Sequence, residues 1–114
     1  MGKTYKAVTK EISIYLAKLR KDIPDVMNGF SGLAQAATQE GALDKKTKEL
    51  IALALAVAAH CDGCIGFHSQ TLVKLGASRK ELLEMLGMAI YMGGGPSLMY
   101  AAEALKAFEE FSEG

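Results

Sequence analysis

The sequence has little of what marks several functional classes: no tryptophan, two prolines and two cysteines in 114 residues, and no net charge. Thirteen Lys and Arg balance thirteen Asp and Glu. Proteins that bind nucleic acid usually carry a basic excess or a basic stripe. The composition therefore gives no support to a nucleic-acid partner.

Long apolar runs are also missing. The longest, residues 50–59, is about half of what a bilayer span requires. The N-terminal residues carry scattered charges and lack the apolar segment of a signal peptide. We therefore expect a cytoplasmic protein with no membrane partner. In that compartment a close cysteine pair is more often catalytic or metal-binding than a structural cross-link.

Strand signals are scarce, and the abundant Leu, Ala, Met, Lys and Glu favour helix. Half of the residues are hydrophobic, enough for one independent core. The sequence thus predicts an all-α bundle in a single domain, residues 1–114, with no clear internal repeat. The apolar spacing and the helix-ending residues place six helices at about 5–21, 25–40, 45–60, 63–75, 79–92 and 96–111.

Capping residues support several of these boundaries. Asp44 and Asp62 are good N-caps for the third and fourth helices, and Ser78 with Glu81 forms a capping box for the fifth. Gly41 is a good C-terminal cap for the second. The third helix becomes apolar on every side, which predicts burial on every side. Few short neighbours could cover it, so we expect a homo-oligomer.

The chemistry concentrates in 60-HCDGCIGFHSQ-70. A Cys-x-x-Cys turn brings the two Cα atoms within the ~4.4–6.8 Å that a disulfide tolerates. The start of a helix favours the reactive thiolate. Cys64 and His68 share one helix face, so we assign Cys64 as the attacking thiol and Cys61, nearer the solvent end, as the resolving one.

Glu49 lies twelve residues before Cys61. On one straight helix the two would be ~18 Å apart. If the chain bends at residues 61–63 and the next helix folds back, His68 reaches the level of Glu49, and the pair could relay a proton. The alternative is that Glu49 is a solvated partner of a nearby lysine: Lys45, Lys46 or Lys48.

Glu49, Cys61, Cys64 and His68, followed by Gly76 and the Ser78/Glu81 cap, resemble the alkylhydroperoxidase D-like group of the carboxymuconolactone decarboxylase superfamily. The resemblance runs from about residue 24 to residue 111. It implies an all-helical fold and an obligate homo-oligomer; trimers and hexamers both occur, and the short chain favours a hexamer.

The resemblance also implies an antioxidant thiol activity. Cys64 would attack a hydroperoxide, Cys61 would close a disulfide, and Glu49 and His68 would relay protons. No cofactor or metal would be bound. An external dithiol such as dihydrolipoamide would supply electrons, and a peroxiredoxin is a possible partner.

One position departs from that pattern, because better-characterised members carry a histidine just before the second cysteine, where this chain has Gly63. His60, just outside the pair, is a candidate substitute. The alternative interpretation is that His60 is a positively charged residue at a helix C-terminus.

Other interpretations of the motif remain open at this point. The cysteines could be buried and inert. Cys61, Cys64, His68 and Glu49 could bind zinc, although the usual second Cys-x-x-Cys or His pair is missing. The disulfide could instead act as a redox sensor of assembly without turnover. Lactone decarboxylation is the remaining alternative.

Overall fold

A computed structural model describes residues 3–113, which form six α-helices and no strand. The predicted all-α fold and the number of helices are confirmed. The helices are α1 (Tyr5–Asp22), α2 (Pro24–Thr38), α3 (Lys45–Ala58), α4 (Asp62–Lys74), α5 (Arg79–Gly93) and α6 (Gly95–Glu113).

Two of the predicted caps are confirmed. The Asp44 carboxylate accepts the Thr47 N–H at 2.8 Å, and the hydrogen bonds from Thr47 hold the pKa of Asp44 below its usual value. Ser78 and Glu81 form the reciprocal capping box at the start of α5. These side chains satisfy amide groups that a helix start leaves unpaired.

Two other predicted caps are wrong. Asp62 is the first residue of α4, and Cys61, whose backbone is extended, takes the N-cap position. The Asp62 carboxylate instead lies 3.8 Å from the Lys3 ammonium group. Gly41 does not end α2, because the helix stops at Thr38 and the backbone is already extended at the next residue.

Helix α4 lies in the middle of the packing and contacts α1, α3 and α6. Packing on three sides gives the residues of α4 fixed neighbours, so side chains near its start are presented on a rigid element. The largest fully buried side chains belong to α3, α4 and α5, and are Leu53, Val57, Ile65, Ser69, Leu72 and Leu82.

Helix α1 is tied to α6 and lies across α4. The Tyr5 N–H donates to Glu110 at 2.8 Å, and the Tyr5 hydroxyl donates to Glu103 at 2.7 Å. Burial and the Glu103 carboxylate raise the pKa of Tyr5. Against α4, a Cβ atom at Gly66 would lie 2.6 Å from the Cγ2 of the buried Thr9. The close approach of α1 and α4 therefore requires glycine at this position.

We expect Gly66→Ala to lower the free energy of unfolding by about 1–3 kcal/mol, because Thr9 and α1 would have to shift. Gly87→Ala is the matched control: Gly87 is a helical residue whose added Cβ would meet no atom within 4 Å in the described part of the chain. It should raise stability by about 0.5–1 kcal/mol. Urea unfolding measures both, and equal effects would contradict the close packing of α1 on α4.

Part of the apolar surface is not covered within one chain. Ile51 and Leu55 of α3 are 45% and 64% exposed, so one chain does not cover every side of α3, as expected for an apolar helix with few short neighbours. Helix α2, which lies wholly within the described residues, contains no buried residue. Val26, Phe30 and Leu33 recur on one face of α2 and are 65%, 68% and 63% exposed.

None of the helices formed by residues 3–113 has both the length and the apolar character needed to cross a membrane.

Candidate functional site: a CxxC disulfide and a histidine–glutamate pair

The turn between α3 and α4 positions the motif. His60 has φ 57°, the left-handed conformation, and its N–H donates to the Val57 carbonyl at 3.2 Å. The Cys61 N–H donates to the Ala56 carbonyl at 3.1 Å. These two bonds close a Schellman motif. The chain therefore reverses at His60, one residue before the bend predicted at residues 61–63.

Cys61 and Cys64 form a disulfide with a Cα–Cα distance of 5.2 Å, within the predicted range. The Cys64 N–H donates to the Cys61 sulfur at 3.2 Å. The Cys61 sulfur thus lies at the start of α4, where unpaired amide groups and the helix dipole stabilise negative charge.

The two cysteines differ in exposure. Cys64 is exposed, whereas Cys61 is partly buried. Cys61, which was expected nearer the solvent end, is therefore the less exposed of the two. A reagent from solution therefore reaches Cys64 more easily.

Glu49 and His68 are in contact, as predicted for a fourth helix that folds back along the third. The His68 Nδ1 lies 2.7 Å from the Glu49 Oε1. Glu49 is only 5% exposed although it is a carboxylate, and the His68 side chain is 35% exposed. A carboxylate is almost never buried without a partner, and here the partner is the imidazole.

The lysine alternative for Glu49 is wrong. The Lys46 ammonium group pairs with Glu81 at 2.8 Å, and this contact raises the pKa of Lys46 and lowers that of Glu81. Lys48 donates to the Ala37 and Gln39 carbonyls.

The contact also orders the histidine. When the Glu49 carboxylate is ionised it can only accept hydrogen bonds, and the Nδ1 of His68 then carries the hydrogen toward Glu49. The Nε2 of His68 is then the nitrogen available for proton exchange. Because Cys64 precedes His68 by four residues on α4, the imidazole lies on the next turn along the same helix face.

At Gly63 the space for a side chain is occupied. An added Cβ would lie 2.7 Å from the Cδ1 of Ile12 in α1. At the position where the resemblance noted above would have a histidine, the Ile12 side chain of α1 therefore lies close to the backbone in this chain.

His60 has a contact that sequence reasoning did not predict. Its ring stacks on the Tyr100 ring of α6, with centroids 4.5 Å apart and an interplanar angle of 6°. No local pattern links residues forty positions apart in sequence. The only signal was a histidine at a helix end where glycine is usual.

Zinc binding gains no support from the geometry. Within residues 3–113, no three His, Cys, Asp or Glu side chains are grouped so that they could hold a metal ion.

The protein is therefore all-helical and carries a Cys-x-x-Cys disulfide at a helix start, with the imidazole of His68 held by the buried carboxylate of Glu49 nearby. Residues 24–107 match the model of the carboxymuconolactone decarboxylase family. The chain belongs to this family, and its solved relatives place it in the alkylhydroperoxidase D-like superfamily.

Several relatives share most of this chain. A carboxymuconolactone decarboxylase family protein from Legionella pneumophila has a crystal structure with a TM-score of 0.94 and 75% identity, covering 95% of this chain and 96% of that one. A family protein from Thermotoga maritima, for which a part in the antioxidative response has been suggested, gives a TM-score of 0.81 at 31% identity and covers 92% and 90%. An uncharacterised protein from Cupriavidus necator is 44% identical over 99 residues, which are 87% of this chain and 88% of its own.

Proposed function

We propose that this protein is a thiol–disulfide oxidoreductase that reduces organic hydroperoxides with electrons from an external dithiol. The observation that supports this most directly is the Cys61–Cys64 disulfide, with Cys64 exposed at the start of α4 and the Glu49-held His68 one turn beyond. The antioxidative part suggested for the Thermotoga relative agrees with this chemistry.

In the oxidative half-reaction, the Cys64 thiolate attacks the terminal peroxide oxygen. The O–O bond breaks, Cys64 becomes a sulfenic acid, and the departing alkoxide takes a proton to leave as an alcohol. We assign His68 to supply that proton, and its contact with Glu49 supports this role. The Cys61 thiolate then attacks the Cys64 sulfur, and the departing hydroxide takes a proton from solvent and leaves as water.

In the reductive half-reaction, a thiolate of the dithiol attacks the sulfur of Cys64, the more exposed of the two cysteines. The disulfide breaks and Cys61 leaves as a thiolate, which the start of α4 stabilises. The second thiol of the reductant attacks the mixed disulfide, releases Cys64 and forms the reductant's own disulfide. A lipoamide-like dithiol suits this step, and a peroxiredoxin could deliver the oxidising equivalents.

The test is a coupled assay with an organic hydroperoxide, lipoamide, a lipoamide-reducing system and NADH. Loss of NADH that depends on this protein and on the hydroperoxide supports the proposal. A disulfide that forms and is reduced by lipoamide without peroxide turnover would instead leave a thiol–disulfide carrier. Lactone decarboxylation, the activity in the family's name, would be detected as product formation that does not need the thiols.

We also infer that the protein self-associates, because one chain carries both an unpartnered apolar helix face and an apolar groove. The groove holds about 300 Å³ between α3 and α5 and is lined by Ala54, Leu55, Ala58, Met88, Ala89, Met92 and Gly93. Its small side chains leave room for large ones, and the α2 face presents Val26, Phe30 and Leu33. We assign the α2 face of a second copy as the occupant, in a hexamer or a trimer.

Phe30→Lys should reduce the oligomer to a smaller species, because a charge would enter an apolar contact. Asn28→Lys is the control, since it adds the same charge to α2 about 200° around the helix from Phe30. Light scattering after size-exclusion chromatography measures the mass of each variant. An unchanged mass for Phe30→Lys would contradict an interface through α2.

A further inference from the structure

His60 occupies an unusual conformation immediately before the redox pair. Among residues 3–113 it is the one non-glycine residue with a positive φ. The left-handed conformation strains any residue with a Cβ, and a helix end of this kind usually carries glycine. A strained residue at a proposed active site is a reason to ask what its side chain does.

The His60 side chain stacks on the ring of Tyr100, and this contact indicates its role. This contact joins the chain reversal after α3 to α6, a helix that also packs on α4. Cys61 follows His60 directly, and its backbone conformation, φ −106° and ψ 99°, places the sulfur over the start of α4. The stack therefore anchors His60, and the residue that follows it, Cys61, is the one that must stay at the N-cap of α4.

We propose that His60, through its stack on Tyr100, is a positioning residue that keeps the Cys61 sulfur at the start of α4 after the disulfide opens. In the disulfide the bond to Cys64 holds that sulfur in place; in the dithiol this constraint is gone. The anchored turn then keeps the sulfur next to the Cys64 N–H and the helix dipole, where it persists as thiolate. That thiolate is both the leaving group of reduction and the resolving nucleophile of oxidation, so the inference rests on the proposed function.

The substitution His60→Gly separates this role from a structural one. Glycine adopts the left-handed conformation without strain and keeps both backbone hydrogen bonds of the Schellman motif. It removes only the ring that stacks on Tyr100. We expect the midpoint of thermal unfolding to stay within about 3 °C of the parent.

The experiment measures the thiolate fraction of Cys61 at neutral pH by ultraviolet absorbance, in a Cys64→Ser background. Serine keeps the amide N–H that contacts Cys61, and Cys61 is then the one remaining cysteine of the chain. We expect His60→Gly and Tyr100→Leu each to lower the thiolate fraction about threefold or more, whereas Tyr100→Phe, which keeps the ring, should leave it unchanged.

Three results would overturn the inference. The thiolate fraction could be unchanged in His60→Gly. It could fall in His60→Gly and not in Tyr100→Leu, which would mean that the imidazole acts without the stack. It could fall as far in Tyr100→Phe, which would assign the effect to the hydroxyl. The measurement uses no peroxide and no reductant, so its result is independent of whether the protein turns over hydroperoxides.

Discussion

Cys64→Ser is expected to abolish peroxide turnover, with a loss of at least about 10³-fold, because the hydroxyl of serine is a far weaker nucleophile than a thiolate. Cys64 is the exposed cysteine, and it precedes His68 by one helical turn. The coupled assay with hydroperoxide and lipoamide measures the loss.

Cys61→Ser is the informative partner of that variant. It keeps Cys64 and should consume about one equivalent of hydroperoxide per chain, then stall with Cys64 as a sulfenic acid. A sulfenic-acid trapping reagent and mass spectrometry would locate the product. If Cys61→Ser fails to react even once while Cys64→Ser does react, the two roles are reversed.

The second large effect is expected at Glu49. Glu49→Gln keeps the size of the side chain and removes the negative charge that holds the His68 ring. We expect peroxide turnover to fall about 10²-fold, the contribution of one general acid–base group. The rate of Cys64 attack in a single turnover should fall with it, because the proton reaches the departing alkoxide more slowly.

Glu81→Gln is the matched control for this change. Glu81 is also a helix carboxylate in an ion pair, but its partner is Lys46 and its side chain is 39% exposed. Its loss should leave turnover within about twofold, since exposed pairs contribute little. Equal effects of the two substitutions would contradict a proton relay through Glu49 and His68.

The sequence predicted the Glu49–His68 contact because two facts of helix geometry were enough. A straight helix would separate the motif from Glu49, and a fold-back at the end of α3 would restore the contact. The observed 2.7 Å distance follows from that reversal. The number of helices and most of their boundaries were also predictable from local sequence. Pro24, Asp44 and Ser78 start helices by acting on the residues next to them.

The details that failed depend on distant parts of the chain. Asp62 has the better side chain for an N-cap, yet the backbone conformation at Cys61, set by the left-handed His60, decides which residue takes that position. Residues thirty or more positions apart form the His60–Tyr100 stack and the contact of Ile12 with Gly63. The local sequence pattern does not indicate contacts between residues so far apart.

The most direct test of the redox cycle is an anaerobic single turnover of the fully reduced protein with one equivalent of organic hydroperoxide. Free thiols and released alcohol are both counted per chain. The chain has two cysteines, so the cycle requires the loss of both thiols, one Cys61–Cys64 disulfide and one molecule of alcohol. Unreacted hydroperoxide beside two intact thiols would contradict it.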